Sequence, residues 1–249
     1  MPRQPRSTGD SGYMHVIIRG LGKQILFEDE EDHLFYLKKL KKYSMQTKVR
    51  IVAFCLMSNH VHMLVHDPQQ TVALLMKKVE VSYAGYYNKK YDRTGHLFQN
   101  RYISEPVEDE RYFLTAFRYI LRNPEKAGVC RTADYRWSSY KAYYARDTFV
   151  ELDQIRHYLP TEEDYRHYLT AENADQDECL EYDTTRDDDW AINVARSILQ
   201  ASSATIVQKY EKESRNDALR KLRRAGLTIR QIERITGINR GVIYRATKT

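Results

Sequence analysis

No apolar run in this 249-residue chain approaches the ~20 residues of a membrane-spanning helix. The basic start M-P-R-Q-P-R is not followed by an apolar core either, so neither a membrane span nor a signal peptide is expected. Cysteine is scarce: Cys55, Cys130 and Cys179 are odd in number and far apart. That speaks against a disulfide framework and for reduced thiols in a cytoplasmic protein. No CxxC pair offers a structural zinc site, no GxxxxGK[ST] loop offers a phosphate cradle, and no internal repeat is apparent.

Charge is what the chain has. Lys and Arg number 40 against 34 Asp and Glu, a net charge of +6 with a pI near 9.0. The distribution says more than the total. Between Thr161 and Trp190 twelve acidic residues face two basic ones, Arg166 and Arg186. From Arg215 to Thr249 ten basic residues face two acidic ones, Asp217 and Glu233. A segment such as E-N-A-D-Q-D-E-C-L-E-Y-D-T-T-R-D-D-D reads as a solvated connection. Three parts are therefore expected: a first domain over 1–160, an acidic connecting segment over 161–186, and a basic helical domain over 187–249.

The first part alternates two periodicities. M-H-V-I-I-R-G reads as a strand, and so do V-R-I-V-A-F-C-L-M and H-V-H-M-L-V-H, the last two joined by the two-residue turn S-N. E-D-E-E-D-H-L-F-Y-L-K-K-L-K-K-Y has acids early, bases late and apolar residues at helical spacing, which suits the helix dipole. T-V-A-L-L-M-K-K-V-E-V-S-Y-A-G-Y-Y-N reads as a long helix weakened at Gly85, and R-Y-I-S-E-P-V as a fourth strand. D-E-R-Y-F-L-T-A-F-R-Y-I-L-R-N is a helix that Pro124 is expected to end. The order β-α-β-β-α-β followed by a helix predicts an α+β fold with a ferredoxin-like antiparallel sheet.

His60 and His62 then project from one strand face, roughly 7 Å apart by the strand rise, while Val61, Met63 and Val65 pack on the other. Two imidazoles on an open sheet face can hold one divalent cation if another element adds a ligand; otherwise they are polar residues on a solvated face. His66 reads as an ordinary surface residue. Tyr119 and Asn123 are four apart and share the last turn of the helix before Pro124. An asparagine carbonyl suits Mg²⁺ or Mn²⁺, and a phenol beside it could attack a metal-bound phosphate. Against this, Tyr119 is one of 20 tyrosines and can be a packing aromatic. Tyr112, two turns earlier, is the rival nucleophile.

C-L-M-S-N-H-V-H-M-L-V, T-G-H-L-F-Q-N-R-Y, R-Y-I-L-R-N-P-E-K-A-G and Y-R-W-S-S-Y occur in this order, over roughly residues 13–144. Together they resemble the REP-associated tyrosine transposases, a branch of the single-tyrosine HUH transposases. The resemblance implies His60 and His62 as metal ligands, Tyr119 as nucleophile and Asn123 as the residue completing the metal site. It implies cleavage of single-stranded, hairpin-associated DNA through a 5′-phosphotyrosine, with Mg²⁺ or Mn²⁺ as cofactor, and a homodimer is compatible with it. A phosphotyrosyl bond keeps the energy of the phosphodiester, so no nucleotide cofactor is needed. In T-G-H-L-F-Q-N-R-Y, His96, Phe98, Gln99 and Arg101 are suited to stack a base and grip a phosphate, unless the loop is only a tight turn with Phe98 in the core. Arg19 and Lys23 are backbone-contact candidates mainly through the resemblance.

A-L-R-K-L-R-R-A-G-L-T-I-R-Q-I-E-R-I-T-G-I-N-R-G-V-I-Y-R-A breaks into three helical segments. Thr228 and Asn239 are cap candidates, Gly237 suits the turn, and Ile229, Ile232, Ile235, Ile238, Val242 and Ile243 recur at core spacing. This resembles a helix-turn-helix of the replication-initiator DnaA or sigma-factor region-four kind. Its recognition helix would present Asn239, Arg240, Tyr244 and Arg245 to duplex DNA, unless the bundle contacts phosphates only. W-A-I-N-V-A-R-S-I-L-Q begins the same helical part. The expected function is a metal-dependent DNA nuclease and strand transferase in the cytoplasm at the nucleoid. Two alternatives stand beside it: a non-catalytic regulator that binds DNA hairpins, and a zinc hydrolase built on His60 and His62.

Overall fold

Runs rich in β-branched residues make three long strands, β1 (Tyr13–Arg19), β2 (Arg50–Met57) and β3 (His60–His66), and a short β4 (Ile103–Pro106) joins them. The computed structural model describes residues 9–146, 148–171 and 189–248. Its four strands form one antiparallel sheet in the order β2-β3-β1-β4. Ser58 and Asn59 turn the β2–β3 hairpin, leaving Met57 opposite His60. Two helices, α1 (Glu30–Thr47) and α2 (Val72–Lys90), lie on one face. There Val16, Ile18, Val61, Met63 and Val65 meet Tyr36, Leu40, Leu75 and Tyr83 in the first core. Asp29 and Asp32 cap α1 reciprocally, as its acidic start suggests. The connectivity is the ferredoxin-like one, and the class is α+β.

The other sheet face departs from expectation, because it is not open. Val52, Ala53, Cys55 and Leu64 make it apolar, and leaving such a surface in water is unfavourable. Helix α3 (Glu110–Lys126) covers it, with Phe113, Phe117 and Ile120 buried against the strands. Two further helices, α4 (Asp153–Tyr158) and α5 (Glu162–Thr170), add Ile155, Tyr165 and Leu169 to the same core. Nor does α3 stop before Pro124, which sits inside its last turn. Proline deprives one carbonyl of its donor. The turn nevertheless persists, because Ala127 N–H donates to the Asn123 carbonyl and Val129 N–H to that of Pro124, both at 2.9 Å, with Asn123 and Pro124 buried. Of the acidic stretch from residue 161, the first part is α5, capped reciprocally by Thr161 and Asp164. Residues 172–188, which include the rest of that stretch, lie outside the described residues.

Beyond them, α6 (Asp189–Leu199), α7 (Lys212–Arg224), α8 (Ile229–Thr236) and α9 (Arg240–Thr247) gather around Leu219, Leu222, Leu227, Ile232, Ile235 and Ile243. Thr228 and Gln231 form a capping box on α8, Gly237 ends it in the left-handed region at φ +69°, and Asn239 caps α9. This core is not made by these helices alone. Ile25, from the segment after β1, is buried in it, and its N–H donates to the Arg234 carbonyl at 3.0 Å. Ser203 donates to the Glu28 carboxylate at 2.6 Å, and Lys209 pairs with Asp92 at 2.5 Å. No described helix is long and apolar enough to cross a membrane.

Candidate active site

Alternation along β3 sends His60 and His62 toward α3, and the β1–β3 register sets them opposite Arg19 and Ile17. His15 is on the same face of β1. Its Nε2 lies 3.0 Å from His62 Nδ1, with the two rings stacked 5.2 Å apart. From α3, Tyr119 sets its ring edge-on to His62 and His15, at 5.5 and 6.0 Å between centroids. One turn further on, Asn123 Oδ1 stands 3.3 Å from His60 Nε2. The Lys126 ammonium is 4.6 Å from the centre of the Tyr119 ring. The structure thus brings together His60, His62, Tyr119 and Asn123. It also encloses them, with none more than 2 % exposed.

Enclosure sets the protonation. A charged imidazolium is disfavoured away from water. Burial pulls His15 and His60 each down to about 4; for His60 the Arg19 charge adds to this and the Asn123 contact opposes it. His62 is held well below its ordinary value, by burial first and then by His60, His15 and Arg19. All three are neutral at pH 7, the form in which an imidazole nitrogen can bind a cation. His62 Nε2 and Asn123 Nδ2 are buried without a hydrogen-bond partner, which native interiors rarely allow. A divalent cation would satisfy the imidazole nitrogen. Two imidazole nitrogens and an amide oxygen can hold a divalent cation, the oxygen being the donor that suits Mn²⁺ or Mg²⁺. Among the described residues no group of three or more His, Cys, Asp or Glu side chains is set to hold a metal.

The rival nucleophile is elsewhere. The Tyr112 hydroxyl donates to the Glu105 carboxylate on β4. His66 stacks on Tyr13 at 4.3 Å and accepts from Arg50, outside the cluster.

The nucleic-acid candidates fall into two groups. Leu21 N–H donates to the Leu97 carbonyl and Gln99 N–H to that of Arg19, so 97–99 run beside the end of β1. Arg19 is half-buried beside His60, and Lys23 sits at φ +65° in the turn that follows. His96, Gln99 and Arg101 are exposed and line a groove of about 540 Å³ with Leu21 and Val81. Phe98 is half-buried and packs on the first core, 6.3 Å from the Tyr83 ring. In the C-terminal helices, Tyr244 is 53 % exposed and Arg245 is exposed beside it on α9. Asn239 gives its side-chain oxygen to Gly241 N–H, and the Arg240 guanidinium is held on the Glu233 carboxylate at 2.9 and 3.0 Å.

Two site residues escape a reading of the sequence. His15 looks like a polar residue in the strand M-H-V-I-I-R-G, and only pairing with β3 brings it to His62. Asn59 looks like a turn residue; its Oδ1 lies 2.7 Å from His60 Nδ1. Alternation from Arg19 could have flagged His15 as sharing its face, and Asn59 stands directly before His60 in the chain.

Compared with known proteins, residues 9–123 match the family model described as Transposase IS200 like. Among solved structures the fold is similar to that of a REP-associated tyrosine transposase bound to a REP hairpin. The TM-score is 0.51 at 13 % identity, covering 61 % of this chain and 91 % of that one. No curated protein matches.

Proposed function

With the IS200-like transposase match over residues 9–123 as premise, we propose that this chain cuts and rejoins hairpin-associated single-stranded DNA through a covalent bond to Tyr119. One observation carries this: Tyr119 packs on His62 while Asn123, one turn on, faces His60. Tyr119 Oη attacks the scissile phosphorus and loses its proton. The bond to the 3′ oxygen breaks, that oxygen takes up a proton and leaves as a 3′-OH, and the 5′-phosphate stays on the tyrosine. A 3′-OH attacking the phosphotyrosine reverses the exchange, so phosphoester bonds are conserved. His60, His62 and Asn123 would hold Mg²⁺ or Mn²⁺, which when bound polarises the phosphoryl oxygens. Burial keeps the two imidazoles neutral for that task, and Lys126 adds positive charge beside the phenol. Because Tyr119 is buried, a phosphate reaches it only when α3 or the segments packed with it shift from the sheet.

The second group of residues serves binding. Arg19, Lys23, His96, Gln99 and Arg101 grip the single strand, with Phe98 as a platform half sunk in the core. Helices α8 and α9 act as a helix-turn-helix on flanking duplex, through Tyr244 and Arg245 above all, since Arg240 is already paired with Glu233. A homodimer and residence at the nucleoid belong to the same reading.

The test is a labelled hairpin with a single-stranded flank, incubated with the protein and Mn²⁺ and run on a denaturing gel. A labelled band at the protein's mass that disappears with EDTA is expected. Binding of the hairpin with no adduct under either metal would leave the non-catalytic regulator as the reading.

A further inference from the structure

We propose that Asn59 and His15 are positioning residues for the tautomers of His60 and His62, Asn59 keeping the His60 Nε2 free of hydrogen and His15 letting the His62 Nε2 become so when a cation binds; this rests on the metal-site reading above.

Asn59 is a fixed lock. Its Nδ2 donates to the Lys23 carbonyl at 3.2 Å, so flipping the amide would turn its oxygen onto another acceptor. Its Oδ1 therefore faces His60 Nδ1, 2.7 Å away, and can only accept. A neutral imidazole carries one N–H, so hydrogen on Nδ1 leaves Nε2 bare. That bare nitrogen faces the Asn123 amide, with Oδ1 3.3 Å away. The backbone keeps Asn59 in place: Gly20 N–H donates to its carbonyl at 3.0 Å, and Leu26 and Phe27 N–H to that of Ser58 at 2.7 and 3.1 Å.

His15 is a permissive lock. One hydrogen lies between its Nε2 and His62 Nδ1, 3.0 Å apart. If His15 donates, His62 Nε2 carries a hydrogen into a buried place without an acceptor. If His62 donates, its Nε2 is bare and the stranded hydrogen moves to His15 Nδ1, which is also without a partner. Each arrangement leaves one buried donor unmet, so the two are close in energy until a cation at His62 Nε2 selects the second. Both side chains are buried, His15 wholly and Asn59 nearly so. Polar groups are costly in such places unless they are bonded, and each of these bonds to a proposed ligand. Groups that hold a ligand histidine's second nitrogen typically change metal affinity by roughly 10–100-fold when removed.

The experiment uses the full chain without DNA and reads two quantities. Nitrogen NMR of the metal-free protein reports histidine tautomers, and a Mn²⁺ titration followed by electron spin resonance reports affinity. His60 should carry its hydrogen on Nδ1 in the parent, become a mixture in Asn59→Ala and return in Asn59→Asp, which keeps an acceptor. Mn²⁺ affinity should fall roughly 10–100-fold in Asn59→Ala and in His15→Phe, and recover in Asn59→Asp and His15→Gln. Unchanged affinity and tautomers in the Ala and Phe variants overturn the proposal. If those variants do not fold, a tenfold weaker Mn²⁺ site in a folded Asn59→Asp chain overturns it as well. A parent chain that takes up no Mn²⁺ refutes the metal reading instead, while the nitrogen spectra still decide the tautomer of His60.

Discussion

Ile25→Ala tests whether the C-terminal helices are held to the sheet domain or merely follow it. Ile25 lies in the segment after β1, yet its side chain is 1 % exposed in the core of Leu219, Leu222, Leu227 and Ile232. Its carbonyl meanwhile accepts from Tyr87 of α2 at 3.2 Å. Truncation to alanine deletes three carbons from a closed core, which costs about 2–5 kcal/mol where the site cannot collapse. Domain stabilities are about 5–15 kcal/mol, so the loss is large. With a urea dependence of about 1–3 kcal/mol per molar, the midpoint should fall by ~1–2 M. The two tryptophans report separately: Trp137 stacks on His33 beside the sheet domain, and Trp190 opens α6. Following each in a background where the other is phenylalanine gives two unfolding curves. In the parent they should coincide. In Ile25→Ala the Trp190 curve should move to lower urea and separate from that of Trp137. Coincident curves with an unmoved midpoint would refute the idea that Ile25 couples the two parts.

Tyr119→Phe should abolish the DNA adduct and leave stability and hairpin binding nearly intact, because the ring contacts to His62 and His15 survive the loss of one hydroxyl; the gel assay decides, and adduct lost in Tyr112→Phe instead would reverse the assignment. Arg245→Ala with Tyr244→Ala should weaken duplex binding and flatten its dependence on log salt by about one phosphate contact, measured by fluorescence anisotropy. A single-arginine change at Arg240 should do less, since that side chain is paired with Glu233. Burial pushes the Glu28 carboxyl up to about 7, against the opposing pull of Ser203, Tyr87 and Arg196. The folded chain then binds this proton more tightly than the unfolded one, so stability is full below the ordinary carboxyl range and falls as pH rises toward 7, by roughly 3 kcal/mol at most. Glu28→Gln should flatten that slope in urea unfolding between pH 4.5 and 7.5; an unchanged slope would remove Glu28 as its source.

Local pattern carried much of this protein. Period-two runs placed the strands, and acids before bases placed α1. The S-N turn between β2 and β3 made His60 and His62 neighbours on one face, and a spacing of four made Tyr119 and Asn123 neighbours on one helix. Thr228, Gly237 and Asn239 marked the α8–α9 turn through capping chemistry that acts within a few residues. Each of these is short-range, set by backbone geometry that neighbouring residues share. What covers a face is not, and only the tertiary structure decided it. The same β3 alternation is compatible with a solvated sheet; α3 closed it because Leu64, Cys55 and Phe117 had to leave water together. That closure made the histidines neutral and let Pro124 stay inside α3. His15 and Asn59 became partners of His60 and His62 through strand register and a turn folded back on residues 20–27. Ile25 crossed into the distant helical core, and Glu233 captured Arg240, because pairing across long sequence separations depends on where whole elements come to rest.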